Sequence, residues 1–361
     1  MVFHKNDVQE ITEMLKYSLY FILFPFYFFS PGSPQIADIF GFLICILGIF
    51  RLLKYKAVRH KYFFFFVVYS LIISIIFSFI DQSLYFNFIY YIYAYLLIIE
   101  LNRWRIIHPK IFTRTIFIAY LLQFLLSFFV EETSVRSIIY FNNPNQLGMF
   151  GFLGMYFAYF SRLRDLISRN LFIVFYFISL YLSLLSASKT ALICSVLFTL
   201  VLIVKGLKWN IKRALFLSFV LTVVSFTAVR HSEDIRVLNN LLTRLETDDL
   251  QDDSFEGRGN DRLWKNPSYL IFGAAEGNPE RFKGRLHHHE IHSVIPNVLF
   301  SYGAIGLTMY LLSLRLNSKS RFLFLLPAIL FGISHMVLRI PLYSFIFLYT
   351  IPTRNLNYVR D

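Results

Sequence analysis

Residues 62–80 read Tyr-Phe-Phe-Phe-Phe-Val-Val-Tyr-Ser-Leu-Ile-Ile-Ser-Ile-Ile-Phe-Ser-Phe-Ile, bounded by Lys61 and Asp81 with no charge between them. Crossing the hydrocarbon core of a bilayer takes about 20 apolar residues in a helix. In lipid a backbone must satisfy its own hydrogen bonds, which leaves helices and closed barrels. The run is continuous rather than alternating, so it selects a helix. Comparable runs recur at 17–29, 36–53, 84–99, 111–130, 146–160, 171–185, 190–204, 211–229, 294–314, 322–338 and 341–351. The fold class expected is therefore all-α, a polytopic integral membrane protein of about twelve transmembrane helices. Composition agrees: 57% of the 361 residues are hydrophobic and 16% charged, against about 25% charged in an ordinary soluble domain.

The net charge of +13 is a signature shared with nucleic-acid binders, but its distribution points to topology. Cytoplasmic connectors of membrane proteins are rich in Lys and Arg. Here every even-numbered connector is basic. Arg51, Lys54, Lys56, Arg59 and Lys61 follow the second run, and Arg103, Arg105, Lys110 and Arg114 the fourth. Arg162, Arg164 and Arg169 follow the sixth, Lys205, Lys208, Lys212 and Arg213 the eighth, and Arg315, Lys319 and Arg321 the tenth. Short odd connectors are nearly bare of positive charge, with Arg136, Lys189 and Arg339 the exceptions. Both termini are thus expected in the cytoplasm, with no nucleic-acid partner and the lipid bilayer as the surrounding solvent. The first run lacks a small-x-small cleavage site, so it is expected to be a retained helix. Cys45 and Cys194 lie inside apolar runs, with neither metal-ligand spacing nor a disulfide framework.

One connector is long. The chain divides into helices one to nine (1–229), a large outer loop (230–293) and helices ten to twelve with a short tail (294–361). The loop holds over half of the acidic residues. Within it Ile235, Leu238, Leu241, Leu242 and Leu245 recur at helical spacing, which predicts an amphipathic helix that lies in the headgroup plane, covers a cavity, or simply packs on the membrane domain.

Polar motifs gather on that same face. Arg136 precedes Phe141-Asn-Asn-Pro-Asn-Gln-Leu-Gly148, and Ser186-Ala-Ser-Lys-Thr190 joins the seventh and eighth runs. The loop supplies Asp252, Asp253 and Glu256, then Gly257-Arg258, Asp261-Arg262 and Trp264. Arg281, Lys283 and Arg285 follow, and it closes on His287-His-His-Glu-Ile-His-Ser293. Arginines converging at a membrane surface suit a diphosphate, because a guanidinium offers phosphate oxygens a planar fork of donors.

This ordered set, together with Asn297 and Tyr302-Gly-Ala-Ile-Gly306, resembles the O-antigen polymerase and ligase superfamily across roughly residues 136–310. The resemblance implies a metal-independent, membrane-embedded glycosyltransferase of the GT-C-like kind, needing no cofactor. It would act on undecaprenyl-diphosphate-linked oligosaccharides at the periplasmic face of the bacterial inner membrane, with a chain-length regulator protein as a further partner. Arg258 matches the family's loop arginine and His292 its histidine before the tenth span. Lys189 stands where arginine is more common, and Ser293 where asparagine is frequent.

The chemistry can also be argued from the reaction. A sugar hydroxyl attacks an anomeric carbon while a lipid diphosphate departs, so the protein must neutralise growing negative charge and hold the acceptor. Arg136, Arg258, Arg262 and Arg281 are the candidates for charge, with Lys189 and Asn145 as further substrate contacts; His292 or Glu290 is the candidate base. Plainer readings stand beside these. Arg258 and Arg262 would pair with loop carboxylates, Lys189 would snorkel from a helix start, and Pro144 and Asn145 would open a helix capped by Asn142 or Asn143. His289-Glu-Ile-His292 falls short of HExxH because residue 293 is serine, so no metal site is expected. A ligase acting on lipid A-core, or a lipid-linked oligosaccharide flippase, are the competing functions.

Overall fold

A computed structural model describes residues 5–29, 34–55, 60–130, 138–206, 257–277, 282, 291–314, 319–335 and 337–349. Among them there is no strand. The helices are α1 (Lys5–Leu23), α2 (Ile36–Tyr55), α3 (Lys61–Ile80), α4 (Phe88–Ile107), α5 (Pro109–Leu126), α6 (Pro144–Leu163), α7 (Arg169–Leu185) and α8 (Lys189–Gly206). The one-turn α9 (Arg262–Lys265) and then α10 (Val294–Ser313), α11 (Lys319–Ser334) and α12 (Pro341–Tyr349) follow. The helices α3, α5 and α10 are long and apolar enough to cross a membrane, and shorter apolar helices accompany them. The predicted run at 211–229 and the amphipathic stretch at 235–245 lie outside the described residues, as do Arg136, Arg281 and Glu290.

Several predicted boundaries move, and three of the shifts have separate physical reasons. The first helix runs from Lys5 to Leu23 rather than from 17 to 29. Pro25 lacks the N–H that a continuing helix needs and biases Phe24 away from helical backbone. The fourth begins at Phe88 and continues through Glu100, Asn102 and Arg105 to Ile107. Those three polar side chains are buried, and Glu100 accepts a hydrogen bond from the Tyr17 hydroxyl at 2.9 Å. A tertiary partner thus carries the helix past the point where hydropathy alone would stop it. The eleventh ends at Ser334 rather than 338, where its last carbonyl is taken by Arg258.

Small residues set the closest helix pair. An added Cβ at Gly151 would lie within 2.8 Å of the Ser179 carbonyl oxygen and of Ser183 Cα, and one at Gly148 2.6 Å from Ser186 Oγ at the end of α7. Such small-residue faces let backbones approach where lipid supplies no hydrophobic drive between helices. The pairing runs α6 antiparallel to α7, and Ser183 to Ser195 (2.9 Å) and Tyr176 to Thr199 (2.7 Å) do the same for α7 and α8. Phe152 stacking on Phe331, with the Tyr156 hydroxyl on the Phe324 carbonyl, places α11 antiparallel to α6. The starts of α6, α8, α10 and α12 and the end of α11 therefore share one end of the bundle, called here the loop end.

The helix α10 is broken inside the bundle. Gly303 has φ 65° and ψ −175°, a conformation essentially restricted to glycine. A break at this depth would strand backbone polar groups in an apolar setting, at a cost of several kcal/mol each. A neighbouring segment heals it. Ala274 N–H donates to the Phe300 carbonyl (2.9 Å), Ala275 N–H to the Ser301 carbonyl (2.9 Å), and Ala304 N–H to the Leu270 carbonyl (2.8 Å). Residues 270–275, read from sequence as outer loop, thus run alongside α10 to the level of Ala304. At 1.5 Å per residue that is about 15 Å from the start of α10 at Val294. The Tyr69 hydroxyl of α3 ties down the Phe272 carbonyl at 2.9 Å.

Candidate functional site

The loop end collects the polar residues that sequence singled out. Asn143 caps α6, its side-chain oxygen accepting from Gln146 N–H at 2.9 Å, with Pro144 in the first turn. Asn145 is half-buried within that first turn, so the helix-start reading describes its backbone. Ser188 precedes α8 and accepts from Ala191 N–H at 3.5 Å, while the Ser186 hydroxyl takes Ser188 N–H at 3.2 Å. This tight turn sets Lys189, also half-buried, at the head of α8.

Arg258 is placed by two contacts. Its guanidinium donates to the Ser334 carbonyl at the C-terminus of α11, where a cation complements the negative end of the helix dipole. Its own carbonyl accepts the backbone N–H of His292 at 3.2 Å. The two residues that the family resemblance singles out, 34 positions apart in sequence, are thereby direct neighbours. Ile291 and Ser293 are buried at 1% and 2% exposure, so His292 is anchored on both sides while its ring is exposed. His335, whose ring lies 5.1 Å from Phe331, follows directly on Ser334.

Arg262 behaves differently. It opens the one-turn α9, is 3% exposed, and its carbonyl receives both Asn266 N–H (3.0 Å) and Asn266 Nδ2 (3.2 Å). It is a core residue of the folded loop. Asp261, expected beside an arginine, accepts from Lys265 Nζ at 2.6 Å, an i,i+4 pair.

Beneath this surface lies a carboxylate that sequence reasoning passed over. Glu276 is 2% exposed although it belongs to the long connector. Tyr91 and Tyr302 (3.1 Å) donate hydroxyls to its Oε2, and Asn297 Nδ2 and Arg339 Nη2, each at 2.7 Å, donate to Oε1. Arg339 also lies over the Tyr90 ring, 5.5 Å from its centroid. Two signals pointed here: a lone acid at the end of the apolar stretch Tyr269-Leu-Ile-Phe-Gly-Ala-Ala-Glu276, and Arg339 as a basic residue in an odd connector.

No family model matches this chain, and no curated protein matches it either. What the arrangement can do must therefore be argued from its own groups. A guanidinium fixed at a helix end and an exposed histidine, joined through their backbones, offer an anion-stabilising donor and a proton acceptor on neighbouring stretches of chain. Neither requires a bound metal.

Proposed function

We propose that the protein crosses a bacterial inner membrane about twelve times, with the loop end facing the periplasm, and that it polymerises lipid-linked glycans there. A sugar hydroxyl on a new repeat unit attacks the anomeric carbon of the growing chain. The new carbon–oxygen bond forms as the bond to undecaprenyl diphosphate breaks, the diphosphate leaving with the electron pair. The acceptor proton passes to a base. Arg258 stabilises the charge growing on the leaving group, and His292 takes the proton. Asn145 and Lys189, at the heads of α6 and α8, bind the remainder of the substrate at the same end. The observation that carries this reading is the 3.2 Å backbone contact joining His292 to Arg258, since charge stabilisation and proton removal must act on one reacting centre.

Reconstitution of the purified protein with a defined lipid-linked repeat unit tests it. Wild type should yield a ladder of longer lipid-linked products without any lipid A-core acceptor, and dependence on that acceptor would make it a ligase. Arg258→Lys retains charge but loses the planar fork. It should lower the rate roughly 100- to 1000-fold, as removal of one preorganised donor does. His292→Ala should lower it by about 100- to 10,000-fold and flatten the acidic limb of the pH–rate profile, whereas Arg258→Lys should leave that limb in place. A normal rate in His292→Ala removes the base assignment and passes it to Glu290.

A second reading has one observation in its favour. Glu100 and Glu276 are carboxylates buried inside the bundle, and intramembrane charges mark transport pathways in many carriers. A flippase would move the lipid-linked unit between leaflets without lengthening it, which the same vesicles distinguish.

A further inference from the structure

Four donors from three separate elements close on one buried carboxylate, and that convergence calls for an explanation other than solvation. Tyr91 comes from α4, Asn297 and Tyr302 from α10, and Arg339 from the turn between α11 and α12. The carboxylate's own position is set by the break in α10. Because Ala274 and Ala275 are registered on Phe300 and Ser301, the next residue, Glu276, comes to lie against Asn297, about one turn before them, and Tyr302, the residue that follows them. Gly273, at φ +99°, permits the close approach, since an added Cβ would sit 2.5 Å from Tyr302 Cα. A buried ion pair is weak evidence for stability, because well-packed apolar residues often do as well. What it does supply is a fixed geometry.

That geometry leads to the candidate site. Arg339 lies in the turn at 337–340 that leads into α12, close in sequence to Ser334, the last residue of α11, whose carbonyl receives the Arg258 guanidinium. The turn is also anchored by the side chains of Val337 and Leu338, which are buried in the core, and by local bonds from Val337 N–H to the His335 carbonyl and Ile340 N–H to the Val337 carbonyl, each 3.0 Å, so the ion pair at Arg339 adds a polar clamp to an apolar seat. Its one described ion pair to the bundle is Arg339 with Glu276. We infer that Glu276 is a positioning residue: by clamping Arg339 it fixes the turn between α11 and α12, and so sets where Arg258 and, through its backbone, His292 are held. Glu276 reaches no substrate itself, being buried and already surrounded by donors. The catalytic consequence rests on the polymerase reading, whereas the positioning of the turn does not.

The test has two arms, both on the full-length protein in nanodiscs. In the first, Ile340→Cys is placed in a Cys45→Ser, Cys194→Ser background and its reaction with a water-soluble maleimide is timed. Glu276→Gln is nearly isosteric and its amide can still bridge the tyrosines and Asn297, but it loses the charge that holds Arg339. Labelling should accelerate by about 10- to 100-fold, the population weight of a hydrogen bond between charged groups. An unchanged labelling rate overturns the inference. In the second arm, Glu276→Gln should lower kcat roughly tenfold or more with little change in KM, and should cost less than about twofold further once Arg258→Ala is present, because coupled residues are non-additive. Losses that multiply would mean a general structural role and would overturn the catalytic half. Should wild type prove inactive while labelling still responds to Glu276→Gln, the polymerase reading falls and the positioning of the turn stands.

Discussion

Gly303→Ala puts the broken helix to the test. Alanine at φ 65° and ψ −175° occupies backbone space that side chains avoid, at about 1–3 kcal/mol. The added Cβ would also overlap the Ile271 carbonyl and lie 2.6 Å from Phe272 N. These are backbone atoms, so rotation of a side chain offers no relief. Either α10 straightens or residues 270–275 move away, and both routes sacrifice the bonds from Ala274, Ala275 and Ala304. Three hydrogen bonds at about 0.5–1.5 kcal/mol net add roughly 1.5–4.5, for a total near 3–7 kcal/mol. Gly48→Ala is the control, since its nearest neighbour is a side-chain atom, Glu100 Cγ at 3.3 Å, and no backbone atom lies closer than 3.5 Å; about 1 kcal/mol or less is expected. Thermal unfolding in detergent, followed by loss of the monodisperse chromatographic peak, would rank the two. A Gly303→Ala protein as heat-stable as Gly48→Ala would refute the account of α10 and of the segment that heals it.

Reporter fusions at Lys56, Arg105, Arg164, Lys208 and Lys319 should report cytoplasm, and fusions near Asp253 the opposite side; a cytoplasmic signal from the 230–293 connector would overturn the proposed site. Polymerisation in reconstituted vesicles should survive chelators, because the arginines supply the countercharge. Loss on chelation with recovery on a divalent ion would move Asp252, Asp253 and Glu256 into a ligand role.

Much of the helical layout was legible because membrane hydropathy is a local sum. The run at 62–80 needs no neighbour to declare itself, and α3 spans Lys61–Ile80. Local chemistry also marked the head of α6, where Asn143 and Pro144 perform the capping and first-turn roles their types favour. Hydropathy erred where a distant partner outweighed it. Glu100 sits mid-helix because Tyr17 meets it, and no window over residues 84–107 contains Tyr17.

The site divides along the same line. Sequence alone led to the expectation that Arg258, His292, Asn145 and Lys189 share one face, from the alternation of basic connectors along the chain. Only the tertiary structure brought His292 to Arg258, buried Arg262 in the loop's own core, and drew Glu276 from a polar connector to Arg339 across 63 positions. Those outcomes turn on which backbone donors a broken helix leaves unsatisfied and which segment answers them. The break at Gly303 and the segment at 270–275 each read as ordinary apolar sequence; the hydrogen bonds between them exist only once α10 and the connector lie side by side.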